Sequence, residues 1–142
     1  VQHLAANAVV GPTWTVVLSR KGDYTFGSLL PAEAATEPLA ALLCAWAEGM
    51  RRPLPFAVES AVAWWQARAK GEEAAWEAAR RVYEGDGRTD GERDQDPYLA
   101  RAWPTFAALR ASGEFEHWVE VLLAPLLQHM EAAKEEKKGA QA

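Results

Sequence analysis

Apolar residues recur every three and four positions along much of the chain, the signature of helices with one apolar side. Leu39, Leu42, Leu43, Trp46 and Met50 fall on one face of a helix predicted over 31–49. Pro38 is tolerated only near a helix start, so Thr36 is the expected cap, with 32–35 a separate short turn. A second helix is predicted over 60–70, capped by the Ser60 hydroxyl and closed by Gly71. A third runs over 72–84. Its Trp76, Ala79 and Tyr83 form an inward face, and Glu72, Glu73, Arg80 and Arg81 complement the helix dipole. Asp96 and Pro97 supply the cap and first residue of another helix, Pro104 forces a restart, and Ser112–Gly113 ends that segment. The last stripe is Phe115, Trp118, Val119, Leu122, Leu126 and Leu127, with a kink expected at Pro125. Residues 131–142 lack a stripe and read as a fraying polar tail.

The period changes near the start. Thr13 to Leu18 is β-branched and aromatic, and Tyr24-Thr25-Phe26 returns with alternating side chains, predicting an antiparallel hairpin around Arg20 to Asp23. A lone hairpin is marginal in water, so it is expected to pack on the helices or to extend a sheet supplied by upstream sequence. Residues 1–9 resemble the last turns of a helix, and a chain that opens at Val1 and ends in a charged tail reads as a piece of a longer polypeptide. Between the first two long helices lies a corner. Gly49 is its expected left-handed stop, and Pro53 and Pro55 hold the adjoining residues extended. The fold class predicted is α+β and predominantly helical: five or so helices and one hairpin in a single domain over 1–130.

Composition narrows the chemistry. With 15 basic and 20 acidic residues the net charge is -5, which gives the whole chain no electrostatic footprint for a phosphate backbone. The single Cys44 excludes an internal disulfide and a thiolate cluster and fits a reducing cytosol. No apolar run reaches the roughly 20 residues of a membrane span. Seven tryptophans are the anomaly; most are expected in the core, with one or two serving as anchors on a partner.

Reactive constellations are missing from the pattern. The acidic run 85–96 reads as a solvated loop, and a calcium frame starting at Asp86 fails because Arg88 and Pro97 fall at ligand positions. His3, His117 and His129 are too far apart for a zinc site. The Glu-x-Lys pairs Glu135–Lys137 and Glu136–Lys138 sit in the tail, so no magnesium nuclease site is expected. No catalytic, metal or cofactor-binding residue is predicted. Arg51-Arg52 and Arg80-Arg81 are either solvated arginines at helix ends or contacts for a phosphate or an acidic partner.

The order of features resembles the C-terminal region of the RecC family, the gamma subunit of exodeoxyribonuclease V. The similarity runs from His3-Leu4 through Arg20-Lys21-Gly22-Asp23 and Tyr24-Thr25-Phe26 to Glu48-Gly49-Met50 and Pro53-Leu54-Pro55-Phe56. It continues through Ser60, Ala63-Trp64, Tyr83-Glu84-Gly85, Gly91-Glu92-Arg93-Asp94, Tyr98, Arg101 to Trp103 and Pro125-Leu126. Pro38, Pro97 and the tail depart from it.

The resemblance implies a partial, degenerate nuclease-like domain that has lost its metal ligands and is not an enzyme by itself. It implies a docking and scaffold role in a bacterial, cytoplasmic helicase-nuclease of double-strand break repair and recombination. The partners implied are the beta and alpha subunits (RecB and RecD) and, through the whole complex, DNA; no membrane, cofactor or small-molecule substrate is implied. Phe56, Trp64 and Trp103 are the candidate docking residues, and Arg51 and Arg52 the candidate DNA or acidic-partner contacts. The alternatives are a module touching single-stranded DNA, with Arg88 and Arg93 added, and a magnesium nuclease.

Overall fold

A computed structural model describes residues 1–19, 22–26, 31–128 and 130, with the side chains of 17–26 outside that description. The predicted turn at Arg20 and Lys21, His129 and the tail 131–142 lie outside the described residues. The fold is mostly helical. Its elements in order are α1 (Gln2–Val9), β1 (Thr15–Ser19), β2 (Gly22–Phe26), α2 (Ala32–Gly49) and α3 (Val58–Ala67), which runs into a 3-10 turn (Arg68–Lys70). Next come α4 (Glu72–Glu84), α5 (Glu92–Gln95), α6 (Pro97–Ala102), α7 (Phe106–Ala111) and α8 (Phe115–Leu122). A short helical run over 124–128 comes after α8. The helices are more numerous than predicted and those after Gly85 are shorter, because glycines and prolines at 85, 87, 91, 97, 104, 113 and 125 interrupt that stretch.

Two compact units divide the chain, Val1–Glu48 with Pro125–Ala142 and Gly49–Ala124. In the first, β1 and β2 pair antiparallel, Thr15 opposite Phe26 and Ser19 opposite Gly22. The strands lie two residues inside the predicted limits at the first start and two residues outside at the second. Asn7 fixes the preceding turn. Fully buried, its amide donates to His3 O at 2.8 Å and Thr13 O at 3.1 Å while its oxygen accepts from Thr13 N at 3.0 Å. A side chain thus supplies the backbone with partners that a ladder would otherwise provide.

Helix α2 differs from its prediction in three ways. It is continuous through Pro38, and Thr36 is inside it, its hydroxyl donating to Ala32 O at 2.7 Å instead of capping. Gly49 is the last helical residue and is absent from the positive-φ glycines of the described residues, so the helix stops without a left-handed residue there. The stripe is also not its buried side: Ala35 and Ala45 are buried, whereas Leu43, Trp46 and, just beyond the helix, Met50 are exposed. Small residues win the close contacts because they let backbones approach.

The second unit has the larger core. Helices α3 and α4 pack along their length through Ala61, Trp65, Ala75, Ala79 and Tyr83. Phe106 and Leu109 of α7 and Phe115, Trp118 and Val119 of α8 complete it. Trp64, Trp76, Phe106 and Phe115 form a ring cluster with centroids 5.6 to 6.4 Å apart, all tilted or edge-on. Each such pair contributes about 0.5–1.5 kcal/mol beyond area burial.

Residues 85–96 are not a plain solvated loop. Gly85 and Asp90 form an antiparallel bridge, and α5 starts at Glu92. Downstream the predicted Asp96 cap holds, accepting from Tyr98 N and Leu99 N, and after Pro104 the restart is capped by Thr105, which accepts from Ala108 N. Gly91 has no room for a side chain, since a Cβ would lie 2.2 Å from Tyr83 O and 2.6 Å from Gly85 N. Gly87, by contrast, has open space and only a positive φ of 80°. Gly91→Ala is therefore expected to cost about 3 kcal/mol, and Gly87→Ala only about 1–2 kcal/mol. Urea unfolding midpoints of the two variants check the order; equal losses contradict it.

Candidate functional site

The corner between α2 and α3 is where the predicted functional residues concentrate, and its geometry is set from elsewhere in the second unit. Pro53 and Pro55 forbid helix there, and Leu54 O accepts from Phe56 N at 2.8 Å, a tight reversal. The same carbonyl accepts from Trp103 Nε1 at 3.3 Å. The Trp103 carbonyl in turn takes the Tyr83 hydroxyl, which burial pushes up to about 12, so the phenol keeps its proton and donates. A path of hydrogen bonds thus joins the corner to the end of α4.

A second restraint acts on the first turn of α3. Ser60 is buried and is not the N-cap; Ala57 holds that position and has no side-chain acceptor. The cap comes from Glu92, distant in sequence. Its Oε1 accepts from Glu59 N at 2.9 Å, and its Oε2 from Ser60 N at 2.8 Å and Ser60 Oγ at 2.7 Å. A carboxylate on three donors at the positive end of a helix combines capping with the dipole interaction, of order 1–2 kcal/mol. Residue spacing held no signal for a pairing over 32 positions; only the Gly91-Glu92-Arg93-Asp94 run of the family resemblance touched this glutamate.

The structure separates the sequence-predicted residues by burial and by partner. Phe56 is half-buried in the corner. Trp64 is half-buried within the ring cluster, and its Nε1 is buried with no hydrogen-bond partner. Trp103 is half-buried over Leu54 O. Arg51 is exposed, whereas Arg52 makes a bidentate pair with Glu114, at 3.2 and 2.6 Å. That pair, helped by the Trp118 Nε1–H, holds the Glu114 carboxyl below its ordinary value. Arg93 is engaged by Asp94 at 2.8 Å and by Pro104 O at 3.2 Å, while Arg88 is exposed. The corner therefore brings Phe56, Trp103, Arg51 and Arg52 into one region.

Two exposed tryptophans went unnoticed in the sequence. Trp14 is 68% and Trp46 66% exposed, both in the first unit. Trp46 sits on the α2 stripe, whose spacing is the same for a buried and an outward face.

An open groove of about 880 Å³ lies between α4 and α7, floored by Trp76 and Phe106. Its rims carry Arg80, tied to Glu77 and Glu84, and Arg110, whose guanidinium lies 4.5 Å from the Trp76 ring centroid. Among the described residues no three His, Cys, Asp or Glu side chains gather as metal ligands, and no helix is long and apolar enough to cross a membrane.

Comparison with known proteins adds the family. Residues 1–69 match the model of the RecC C-terminal domain. This segment is similar to a RecC C-terminal region. No curated protein matches the chain. The RecC match takes in α1, the strand pair, α2, the corner and α3, together with both exposed tryptophans and Phe56, Trp64, Arg51 and Arg52. The resemblance predicted over nearly the whole chain is carried by this narrower segment; Tyr83-Glu84-Gly85, Gly91-Glu92-Arg93-Asp94 and Trp103 lie beyond it.

Asp86 stabilises the turn that delivers Glu92. Its Oδ1 accepts from Thr89 Oγ1 at 2.7 Å, Thr89 N at 2.9 Å and Arg88 N at 3.0 Å, which lowers its carboxyl to about 2. A carboxylate depressed from an ordinary 3.8 contributes stability that is present above about pH 4 and lost as pH falls toward 2. Carboxyl-carbon NMR titration should give a midpoint about 2, moving back toward the ordinary value in Thr89→Val. An ordinary midpoint in the unmodified chain contradicts the turn.

Proposed function

We propose that this chain is a non-catalytic docking and scaffold domain of the gamma subunit of an exodeoxyribonuclease V helicase-nuclease. The observation that carries the reading is the RecC C-terminal match over residues 1–69. It is supported by large apolar side chains, Trp14, Leu43 and Trp46, left exposed within that same segment, which a free-standing domain gains nothing by exposing. In this reading the partners are the beta and alpha subunits, RecB and RecD, and the setting is the bacterial cytoplasm, in double-strand break repair and recombination. DNA is handled by the complex as a whole. In this reading the domain takes the part of a degenerate nuclease-like fold and carries out no hydrolysis itself.

Docking is assigned to the corner and its surroundings. Phe56 and Trp103 offer half-buried aromatic edges there and Trp64 the rim of the ring cluster; the first unit, taken by itself, offers the exposed faces of Trp14 and Trp46. Arg51 faces solvent and is free to meet an acidic partner surface, whereas the Glu114 pair orients Arg52 across the corner. Aromatic and arginine side chains are the residue types that dominate binding energy at such surfaces.

Capture of the separate beta and alpha subunits by the immobilised chain tests the proposal. Wild type is expected to retain one or both, and Trp46→Ala and Phe56→Ala to weaken capture at least about tenfold, the loss typical of an interface anchor. Trp64 is packed, so Trp64→Phe serves in place of a drastic change. Retention of neither subunit by a folded wild-type chain overturns docking. Salt-dependent binding of single-stranded DNA by the chain alone, abolished by Arg51→Glu and Arg88→Glu, favours the strand-contacting alternative.

A further inference from the structure

The segment 84–94 fastens two helix starts at once. Glu84, the last residue of α4, accepts through Oε1 from Phe106 N at 3.1 Å, the first amide of α7. Further along the segment, Glu92 closes the first turn of α3 on Glu59 N, Ser60 N and Ser60 Oγ. Between them Gly85 and Asp90 are bridged, and Gly91 lies so close to Tyr83 O and Gly85 N that no Cβ fits. The two carboxylates are therefore mechanically linked. Drawing Glu92 off α3 shifts Gly91 against the peptide after Tyr83 and opens the bridge at Gly85, the residue next to Glu84.

We propose that residues 84–94 act as a two-ended clasp whose opening releases the starts of α3 and α7 in one step, so that they move as a single cooperative unit instead of fraying separately. Helix α3 has no local cap to fall back on, since Ala57 provides none. Helix α7 keeps Thr105, which holds Ala108 N independently of the clasp. That difference makes the device distinguishable from general loosening: Phe106 should track Glu59 and Ser60, and Ala108 should not. The inference concerns the second unit by itself and does not depend on docking.

Native-state hydrogen exchange of the full chain tests it, comparing wild type with Glu92→Ala. The amides of Glu59, Ser60 and Phe106 are expected to accelerate together by roughly tenfold, the effect of one lost cap, with Ala108 unchanged. Acceleration at Glu59 and Ser60 with Phe106 unchanged overturns the clasp, as does equal acceleration of Ala108. If Glu92→Ala unfolds the chain, Thr89→Ala asks the same question by removing only the hydroxyl contact to Asp86. A joint rise of roughly twofold at Ser60 and Phe106 supports the proposal; movement confined to the loop's own amides overturns it.

Discussion

The carboxylate of Glu92 on the first turn of α3 is the contact on which the second unit turns. A helix start leaves several amides without partners, and burial of Ser60 removes water as a substitute. The local chain offers nothing: Ala57 has no acceptor, and Pro53 and Pro55 commit the preceding residues to an extended path. A distant acid fills the gap, and it reaches because Gly91 permits a backbone approach that any side chain would block. The first turn of α3 is closed by that carboxylate, while the corner itself is held by Trp103 on Leu54 O.

Committed charge is the rule elsewhere in this unit. Arg52 serves Glu114, Arg80 serves Glu77 and Glu84, and Arg93 serves Asp94 and a carbonyl. Such groups define geometry more than they add energy, since partly exposed pairs are worth at most about 1 kcal/mol each. Arg51 and Arg88 are among the exposed cations that remain. Charge so committed suits a platform for another protein better than a track for a phosphate backbone.

Much of the helical content was legible in the sequence, and the reasons for the misses are physical. Asp96 and Gly71 carry local signals, a capping oxygen and a freely turning backbone, and the elements they bound fall where the residues indicate. Ser60 misled because a hydroxyl before an apolar run looks the same whether it caps a turn or is itself held by a remote acid. Leu43 and Trp46 misled because periodicity reports that a helix has an apolar side and not what covers it. Of the docking candidates, Phe56 and Arg51 could be read from their place in the corner, while Glu92 and the exposure of Trp14 depend on contacts between residues far apart in the chain.

The edge of the family match and the edge of the compact unit do not coincide: the match ends at residue 69, whereas the second unit begins at Gly49. Residues 49–69 thus share the RecC similarity of the chain on their N-terminal side and the packing of the chain on their C-terminal side. A chimaera spliced after position 69 would leave α3 without Tyr83, Glu92 and Trp103, and its alanine face would have lost α4. The natural seams for exchanging the second unit lie at 48/49 and 124/125, where the fold itself divides.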